Sequence, residues 1–184
     1  SQQCYSPLTA NRLFDWHASL FPTGRSGMHK ITVGTWRKDS TGPMQVVSGP
    51  MGKEKVHFEA PASALVPQMM DQFLHWINQP LSIDPVLKSA IAHLWFVTVH
   101  PFDDGNGRIG RAIMDRQLAV ADGSSKRFYS KSSQILKERK EYYFQLEEAQ
   151  KGTLDITAYL NWFLSCLDRA ILNTDEVLSK ILTK

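Results

Sequence analysis

The sequence has few cysteines and none of the spacings that bind structural metals. Its two cysteines, Cys4 and Cys166, stand near opposite ends of the chain, so reduced thiols in a reducing compartment are expected, with a single bridge left open. The H-E-x-x-H pattern and clustered pairs of cysteine and histidine are also missing, which excludes the usual zinc sites. The sequence therefore predicts neither a disulfide-rich domain nor a zinc protein.

Long apolar runs are absent as well. The most apolar stretch, residues 158–172, is interrupted by Asn161, Asp168 and Arg169, and it falls short of the about 20 apolar residues that a membrane span requires. The chain begins at Ser1 without the basic and apolar regions of a secretory signal. We therefore expect a cytoplasmic protein, and a piece of a longer one.

Neither sign of charge dominates. The 184 residues include 21 Lys+Arg and 18 Asp+Glu, a formal net charge of +3. This excess would favour an anionic ligand but is too weak to indicate a nucleic-acid or membrane surface, so neither nucleic acid nor a membrane is expected as a partner. The length and a hydrophobic content of 42% fit one globular domain over residues 1–184, which would bury roughly 70% of the surface exposed by the unfolded chain.

Hydrophobic periodicity predicts a mainly α-helical fold. The helix that follows Asp84 and Pro85 has a strong start signal and is apolar on most faces, which is typical of a central buried helix. Pro101 disfavours helical geometry at His100 and should end this helix there. The predicted helices are residues 9–21, 61–79, 85–100, 107–121, 133–150, 157–172 and 175–182.

Strand signals lie between residues 30 and 58. An alternating segment, 31–35, is followed by two short runs, 44–48 and 53–58, which flank the Gly-Pro-Met-Gly turn at 49–52. Glycine and proline in the turn and charged residues on the second run suit an exposed edge. The pattern predicts a strand and then a small β-hairpin.

The loop after the apolar helix carries the strongest signs of a function. Residues 100–111 read H-P-F-D-D-G-N-G-R-I-G-R. Gly105 and Gly107 permit backbone conformations closed to other residues, so backbone amides can turn onto an anion at the start of a helix. Arg108 and Arg111 share a face of that helix, and their guanidinium groups can bind one extended anion. The pattern predicts a polyphosphate site.

Asp104 and His100 extend this prediction to catalysis. A carboxylate beside an anion site repels phosphate unless a cation lies between them, and Mg²⁺ held by a carboxylate and the substrate's phosphates would resolve this. His100 has the type and position of a general base. The combination is typical of phosphoryl or nucleotidyl transfer. The other histidines are predicted to be structural: His17, His29, His57, His75 and His93.

Residues 100–111 resemble the signature loop of the Fic domain, H-P-F-x-[D/E]-G-N-G-R-x-x-R, and match it at every specified position. The resemblance implies a Fic-type helical bundle in which the hairpin is a flap. The sequence is particularly similar to bacterial Fic proteins that carry an extra helical domain upstream, and that domain is missing here. It also implies an enzyme that transfers AMP from ATP to a hydroxyl side chain (Ser, Thr or Tyr) of a target protein and releases pyrophosphate.

The resemblance assigns a role to most of the loop. His100 would deprotonate the target hydroxyl, and Asp104 would hold Mg²⁺. Phe102 would anchor the loop in the core, and Asp103 has no assigned role. The phosphates of ATP would be bound by Gly105, Asn106, Gly107, Arg108 and Arg111.

Gly107 also bears on the type of reaction. Doc-type relatives, which phosphorylate their targets, typically carry lysine at this position, where it crowds the phosphate site and can turn the nucleotide around. Glycine therefore favours AMP transfer. The alternatives are a Doc-like phosphoryl transferase, another nucleotidyl transferase on the same fold, and a non-catalytic regulatory module that keeps the loop by descent.

Two features outside the loop receive roles from the same resemblance. The hairpin would hold a target segment by strand addition, or it is purely structural. Tyr142 and Tyr143 would help to form the adenine pocket, or they pack in the core. A homodimer is left open as a further partner. The flap residues expected to contact the target are Lys55, Val56, His57 and Phe58.

One element of the family is missing. Fic proteins are commonly restrained by a helix bearing [S/T]-x-x-x-E-[G/N], whose glutamate pairs with the second arginine, here Arg111. None of the glutamates in this sequence has serine or threonine four residues earlier. We therefore expect the inhibitory helix in an N-terminal segment outside this sequence or on a separate chain. We also expect this chain to be active without a prior activation step.

Overall fold

The computed structural model describes residues 4–39, 42–50, 52–80, 82–124 and 127–182. This part of the chain is mainly α-helical, as predicted. Its helices are α1 (Ala10–Leu20), α2 (Val66–Asn78), α3 (Pro85–Val99), α4 (Asn106–Ala121), α5 (Lys131–Lys137), α6 (Arg139–Lys151) and α7 (Thr157–Leu182). None of these helices is long and apolar enough to cross a bilayer. Cys4 and Cys166 are free, as expected, and both are buried.

Among the described residues between α1 and α2, two pairs of strands are antiparallel. β1 (Arg25–Ser26) pairs with β2 (His29–Lys30), and β3 (Gln45–Ser48) pairs with β4 (Lys55–Glu59). The second pair confirms the predicted hairpin, whose turn residue Met51 lies outside the described residues. We call β3, β4 and their turn the flap.

The strand predicted for residues 31–35 is not formed. The N–H of Thr32 donates to the Asp103 carboxylate at 2.8 Å, and the N–H of Gly34 donates to Nδ1 of His17 at 3.2 Å. These backbone donors are satisfied by side chains of α1 and of the loop before α4, so the segment needs no neighbouring strand. The alternation of residues 31–35 therefore reflects contacts with α1 and with the loop before α4, and not pairing with a strand.

Helix α3 lies at the centre of the fold, as predicted. Asp84 caps its N-terminus by accepting hydrogen bonds from the N–H groups of Val86 and Leu87, at 2.8 and 3.2 Å. Helix α4 packs closely on it at Gly110, where a Cβ would come within 2.9 Å of Cγ1 of Val97. The buried residues of α3 lie on most of its faces: Ser89, Ala90, Ala92, His93, Leu94, Phe96, Val97 and Val99.

The predicted boundaries of the later helices are wrong in two places. Residues 133–150 are divided between α5 and α6 at Glu138, whose carboxylate accepts two hydrogen bonds of 2.6 Å from Arg169. Glutamate favours helix, so nothing local indicates this break. Helix α7, predicted as two helices, continues through Thr174, whose hydroxyl donates to the Ala170 carbonyl at 3.0 Å instead of capping a new helix.

A histidine is buried in the middle of α3. Nδ1 of His93 lies 2.9 Å from the Tyr159 hydroxyl, and its Nε2 lies 3.2 Å from the Tyr142 hydroxyl. Burial, together with the nearby cations Arg111 and Lys131, lowers the pKa of His93 from 6.5 to about 3. The ring is therefore neutral in the folded protein near pH 7.

We predict that His93 makes the fold sensitive to acid. Below pH 6.5 the unfolded chain binds a proton at His93 that the folded protein does not bind until about pH 3, so the stability falls with the pH by up to about 1.4 kcal/mol per pH unit. His93→Gln disturbs the contacts with two tyrosines and should lower the free energy of unfolding at pH 7 by about 1–3 kcal/mol. Urea unfolding at pH 7 and pH 5 should nevertheless show that this variant loses less stability on acidification.

The exposed His75 provides the control for this measurement. His75→Gln should keep the pH dependence of the wild type. If His93→Gln also keeps it, the assignment of the acid sensitivity to His93 is contradicted.

Candidate active site

His100 ends α3 in a left-handed backbone conformation. Its φ and ψ are 51° and 56°, and no other non-glycine residue in the described part of the chain has a positive φ. Pro101 follows and prevents the helix from continuing. Nδ1 of the His100 ring lies 3.2 Å from the Val97 carbonyl oxygen, one turn back in α3.

This contact prepares the imidazole of His100 to accept a proton. A carbonyl oxygen only accepts hydrogen bonds, so Nδ1 carries the proton and Nε2 keeps its lone pair. Burial lowers the pKa of His100, and the Arg37 cation adds to this, against the raising effects of the Val97 carbonyl and the Asp104 carboxylate. A ring with a lowered pKa is neutral near pH 7, which is the state that a general base requires.

The loop after His100 is held by Phe102 and Asn106. Phe102 is fully buried, and the His17 ring stacks on it with 4.2 Å between centroids. The Asn106 side chain accepts a hydrogen bond from the Phe102 N–H at 2.9 Å and donates to the Phe102 carbonyl at 2.7 Å. The side-chain amide of Asn106 therefore closes the loop. Only the backbone N–H of Asn106 is left to bind a phosphate.

Two glycines shape the start of α4. Gly105 has a φ of +82°, and a Cβ there would lie 2.9 Å from Cε2 of Phe21. Gly107 is helical, and the nearest atom to its Cβ position would be Nη1 of Arg111, at 3.4 Å. Because the first N–H groups of a helix have no acceptor within it, this end of α4 can bind an anion. Arg111, one turn further on, adds a positive charge.

Asp104 stands beside this helix end. Its backbone carbonyl accepts a hydrogen bond from Nε2 of His17 at 3.1 Å, and its carboxylate accepts from the Ser26 hydroxyl and lies 3.8 Å from the Arg108 guanidinium. The carboxylate is 46% exposed, and no cluster of three or more metal-binding side chains occurs among the described residues. The site fits Mg²⁺, which one carboxylate can hold together with phosphates and water.

The two arginines of the loop differ in position. The guanidinium of Arg108 lies over the Phe21 ring, 4.6 Å from its centroid, and its side chain is 45% exposed. Arg111 points between α3 and α6, close enough to His93 and Tyr142 to affect the pKa of each. None of the ion pairs among the described residues involves Arg111.

A cavity of about 630 Å³ brings the loop, the flap and α6 together. Its volume lies in the range of small-molecule sites. The predicted site residues in its wall are His57, Phe58, His100, Asp104, Asn106, Gly107, Arg111, Tyr142 and Tyr143. The predicted site residues that lie outside its wall are Lys55, Val56, Gly105 and Arg108.

The family model of Fic/DOC proteins matches residues 7–118, more than half of the chain. The chain belongs to the Fic/DOC family. It is 33% identical over 105 residues to the protein adenylyltransferase Fic of Drosophila grimshawi, an alignment that covers 56% of this chain and 20% of that protein.

Solved structures of Fic proteins share the fold. A Fic family protein from Desulfovibrio desulfuricans G20 has a TM-score of 0.70 and 25% identity, and the match covers 94% of this chain and 47% of the other. Fic-1 from C. elegans has a TM-score of 0.67 at 21% identity, over 98% of this chain and 46% of the other. The chain thus spans about half of these structures and a fifth of the Drosophila protein.

The flap of this Fic domain is tied to α6. Nδ1 of His57 lies 2.5 Å from the Glu147 carboxylate, and its Nε2 lies 2.5 Å from the Ser48 hydroxyl. Lys151 also binds Glu147, and the two contacts lower the pKa of this carboxyl to about 2. His57 and Phe58 are neighbours in β4 and both line the cavity, because a register shift against β3 at this point interrupts the strict alternation of the strand. Lys55 is exposed.

The two tyrosines have different surroundings. Tyr142 is buried, and its hydroxyl is near His93. Tyr143 is half-exposed, with the Arg139 guanidinium 5.5 Å from its ring centroid. Tyr142 is therefore part of the core as well as of the cavity wall, whereas Tyr143 presents its ring at the surface.

Several residues that shape this site were not indicated by the sequence as part of it. His17 holds the Asp104 carbonyl, Ser26 binds the Asp104 carboxylate, Glu147 binds the flap, and Arg37 binds the His100 carbonyl. His17 was predicted to be structural, and it does stabilise the loop. All four act across long separations in sequence, so no local spacing reveals them.

We predict that the two glycines differ in their tolerance of a side chain. Gly105→Ala should lower the free energy of unfolding by about 1–3 kcal/mol, because alanine is strained at this positive φ and its Cβ would collide with Phe21. Gly107→Ala is the matched control, since this helical position has space and alanine favours helix by up to about 1 kcal/mol. Urea unfolding of both variants checks this, and equal destabilisation would contradict it.

Proposed function

We propose that this Fic domain transfers AMP from ATP to a hydroxyl side chain (Ser, Thr or Tyr) of a target protein and releases pyrophosphate. The observation that carries the proposal is the position of His100, whose Nδ1 is bound to the Val97 carbonyl while the ring lines the same cavity as Gly107 and Arg111. Membership of the family and the name of the Drosophila relative support a transferase of this type.

The polyphosphate of ATP would lie at the start of α4. The free backbone N–H groups of Asn106 and Gly107 would bind phosphate oxygens, and the Arg111 guanidinium would bind the outer phosphates. Arg108 would bind the same phosphates after its guanidinium moves away from the Phe21 ring. Tyr142 and Tyr143 would contact the adenine from α6, Tyr143 with its accessible face.

The chemical step would be an in-line displacement. Nε2 of His100 takes the proton from the target hydroxyl, the hydroxyl oxygen forms a bond to the α-phosphorus, and the bond from that phosphorus to the bridging oxygen of pyrophosphate breaks. Asp104 would hold Mg²⁺, which when bound neutralises phosphate charge. The lowered pKa of His100 keeps Nε2 free for this proton near pH 7.

The target would lie along the flap. Its backbone would pair with a flap strand, with Lys55 and Val56 on the outer side and His57 and Phe58 towards the cavity. We also propose an inhibitory helix on a segment outside this sequence or on a separate chain. The glutamate of that helix would pair with Arg111. A homodimer would be compatible with a flap that contacts an outside partner.

The direct test of this proposal uses ATP labelled at either end of its triphosphate. The protein, ATP and Mg²⁺ are incubated with a cell lysate, and labelling is measured above that of the lysate alone, whose kinases transfer the γ-phosphate. The label that this protein adds should come from the α-phosphate and not from the γ-phosphate. His100→Ala should lower the rate by at least about a hundredfold while it still binds ATP, and His29→Ala on exposed β2 is the control. Transfer of the γ-label, or full activity of His100→Ala, would contradict the proposal.

Gly107 should control which phosphorus reacts. Gly107→Lys would start a long cationic side chain 3.4 Å from Nη1 of Arg111, in the space that now leaves room for phosphate. Incorporation of the α-label should therefore fall strongly, whereas Gly107→Ala should keep more of it. A Gly107→Lys variant with the wild-type rate would show that phosphate does not bind at this helix end.

A further inference from the structure

Arg37 is a buried cation with no place in the proposed reaction so far. Its side chain is 0% exposed, although a charge is costly to bury unless it is paired and hydrogen-bonded. It lies between β2 and β3, far in sequence from the signature loop. The three nitrogens of its guanidinium contact the carbonyl of His100 (2.7 Å), the carboxylate of Asp39 and the carbonyl of Pro61.

The backbone of Arg37 adds a second contact with the same loop. Its N–H donates to the Pro101 carbonyl at 2.9 Å, so one residue binds the two consecutive carbonyl oxygens at the end of α3. The left-handed conformation of His100 turns its carbonyl away from the helix, where it needs a partner from another element. Arg37 is that partner.

Arg37 is itself held from the other side. The Asp39 carboxylate accepts a hydrogen bond from the Ser63 N–H at 2.5 Å, and the Asp39 N–H donates to the Ser63 hydroxyl at 3.1 Å. These contacts join the Arg37 segment to the turn before α2. The end of α3 is therefore fixed to a neighbouring element through one guanidinium.

We propose that Arg37 is a positioning residue: it fixes the backbone turn of His100, so that the imidazole keeps Nδ1 on the Val97 carbonyl and Nε2 towards the cavity. This inference rests on the proposed function of His100 as the base. A planar guanidinium can direct donors to three acceptors in fixed directions, whereas a lysine ammonium is a single point on a flexible chain. The site thus requires arginine and not only a positive charge.

The test compares Arg37→Met with the matched control Asp39→Asn. Both break the buried ion pair and should destabilise the fold, but only Arg37→Met removes the donor from the His100 carbonyl. Arg37→Met should lower kcat by about a hundredfold through misplacement of the base, with little change in the affinity for ATP and Mg²⁺. Asp39→Asn should keep most of the wild-type kcat when both are assayed well below their melting temperatures.

A second readout needs no activity. Long-range ¹H–¹⁵N NMR spectra of the ATP-free protein should show His100 with its proton on Nδ1 in the wild type and in Asp39→Asn, and a mixture of tautomers in Arg37→Met. Arg37→Lys, which keeps the charge, should lie between the wild type and Arg37→Met, and it replaces Arg37→Met if that variant does not fold.

The outcomes separate the two proposals. An unchanged His100 spectrum in the Arg37 variants, or an equal loss of kcat in Asp39→Asn, would overturn the positioning role. A third outcome is possible, in which the Arg37 variants change the His100 tautomer but the wild type transfers no AMP. This would support the positioning role and contradict the proposed function.

Discussion

The site depends on how the buried helix α3 ends. A helix that is apolar on most of its faces has little access to water at its last turn, so its final carbonyl groups need partners within the protein. The left-handed turn at His100 and Pro101 supplies this ending, with Arg37 on the His100 carbonyl and the ring itself on the Val97 carbonyl. The same ending that satisfies the backbone also leaves Nε2 unprotonated.

The short loop then joins this base to an anion-binding helix end. Asn106 closes the loop with its side chain, and Phe102 fills the core beneath it. Because α4 begins at Asn106, its free N–H groups lie only a few residues from His100. Base and phosphate site are thus parts of one connection between two packed helices, and their relative position is set by the packing of α3 on α4.

Local patterns made much of this predictable. The cap at Asp84, the stop at Pro101, the flap turn and the loop spacing are all encoded within a few residues, and the structure has the corresponding elements where the sequence predicts them. The contacts of His17 with Asp104 and of Arg37 with His100 join residues 87 and 63 positions apart, which only the fold brings together. For the same reason the break at Glu138, which Arg169 stabilises, was missed.

The most direct measurement is a crystal structure of the protein with a non-hydrolysable ATP analogue and Mg²⁺. The account predicts that the outer phosphates lie on the first turn of α4 beside Arg111 and that the α-phosphorus faces Nε2 of His100 across the gap for the target hydroxyl. A nucleotide bound with its γ-phosphorus towards His100, or bound outside the cavity, would contradict it.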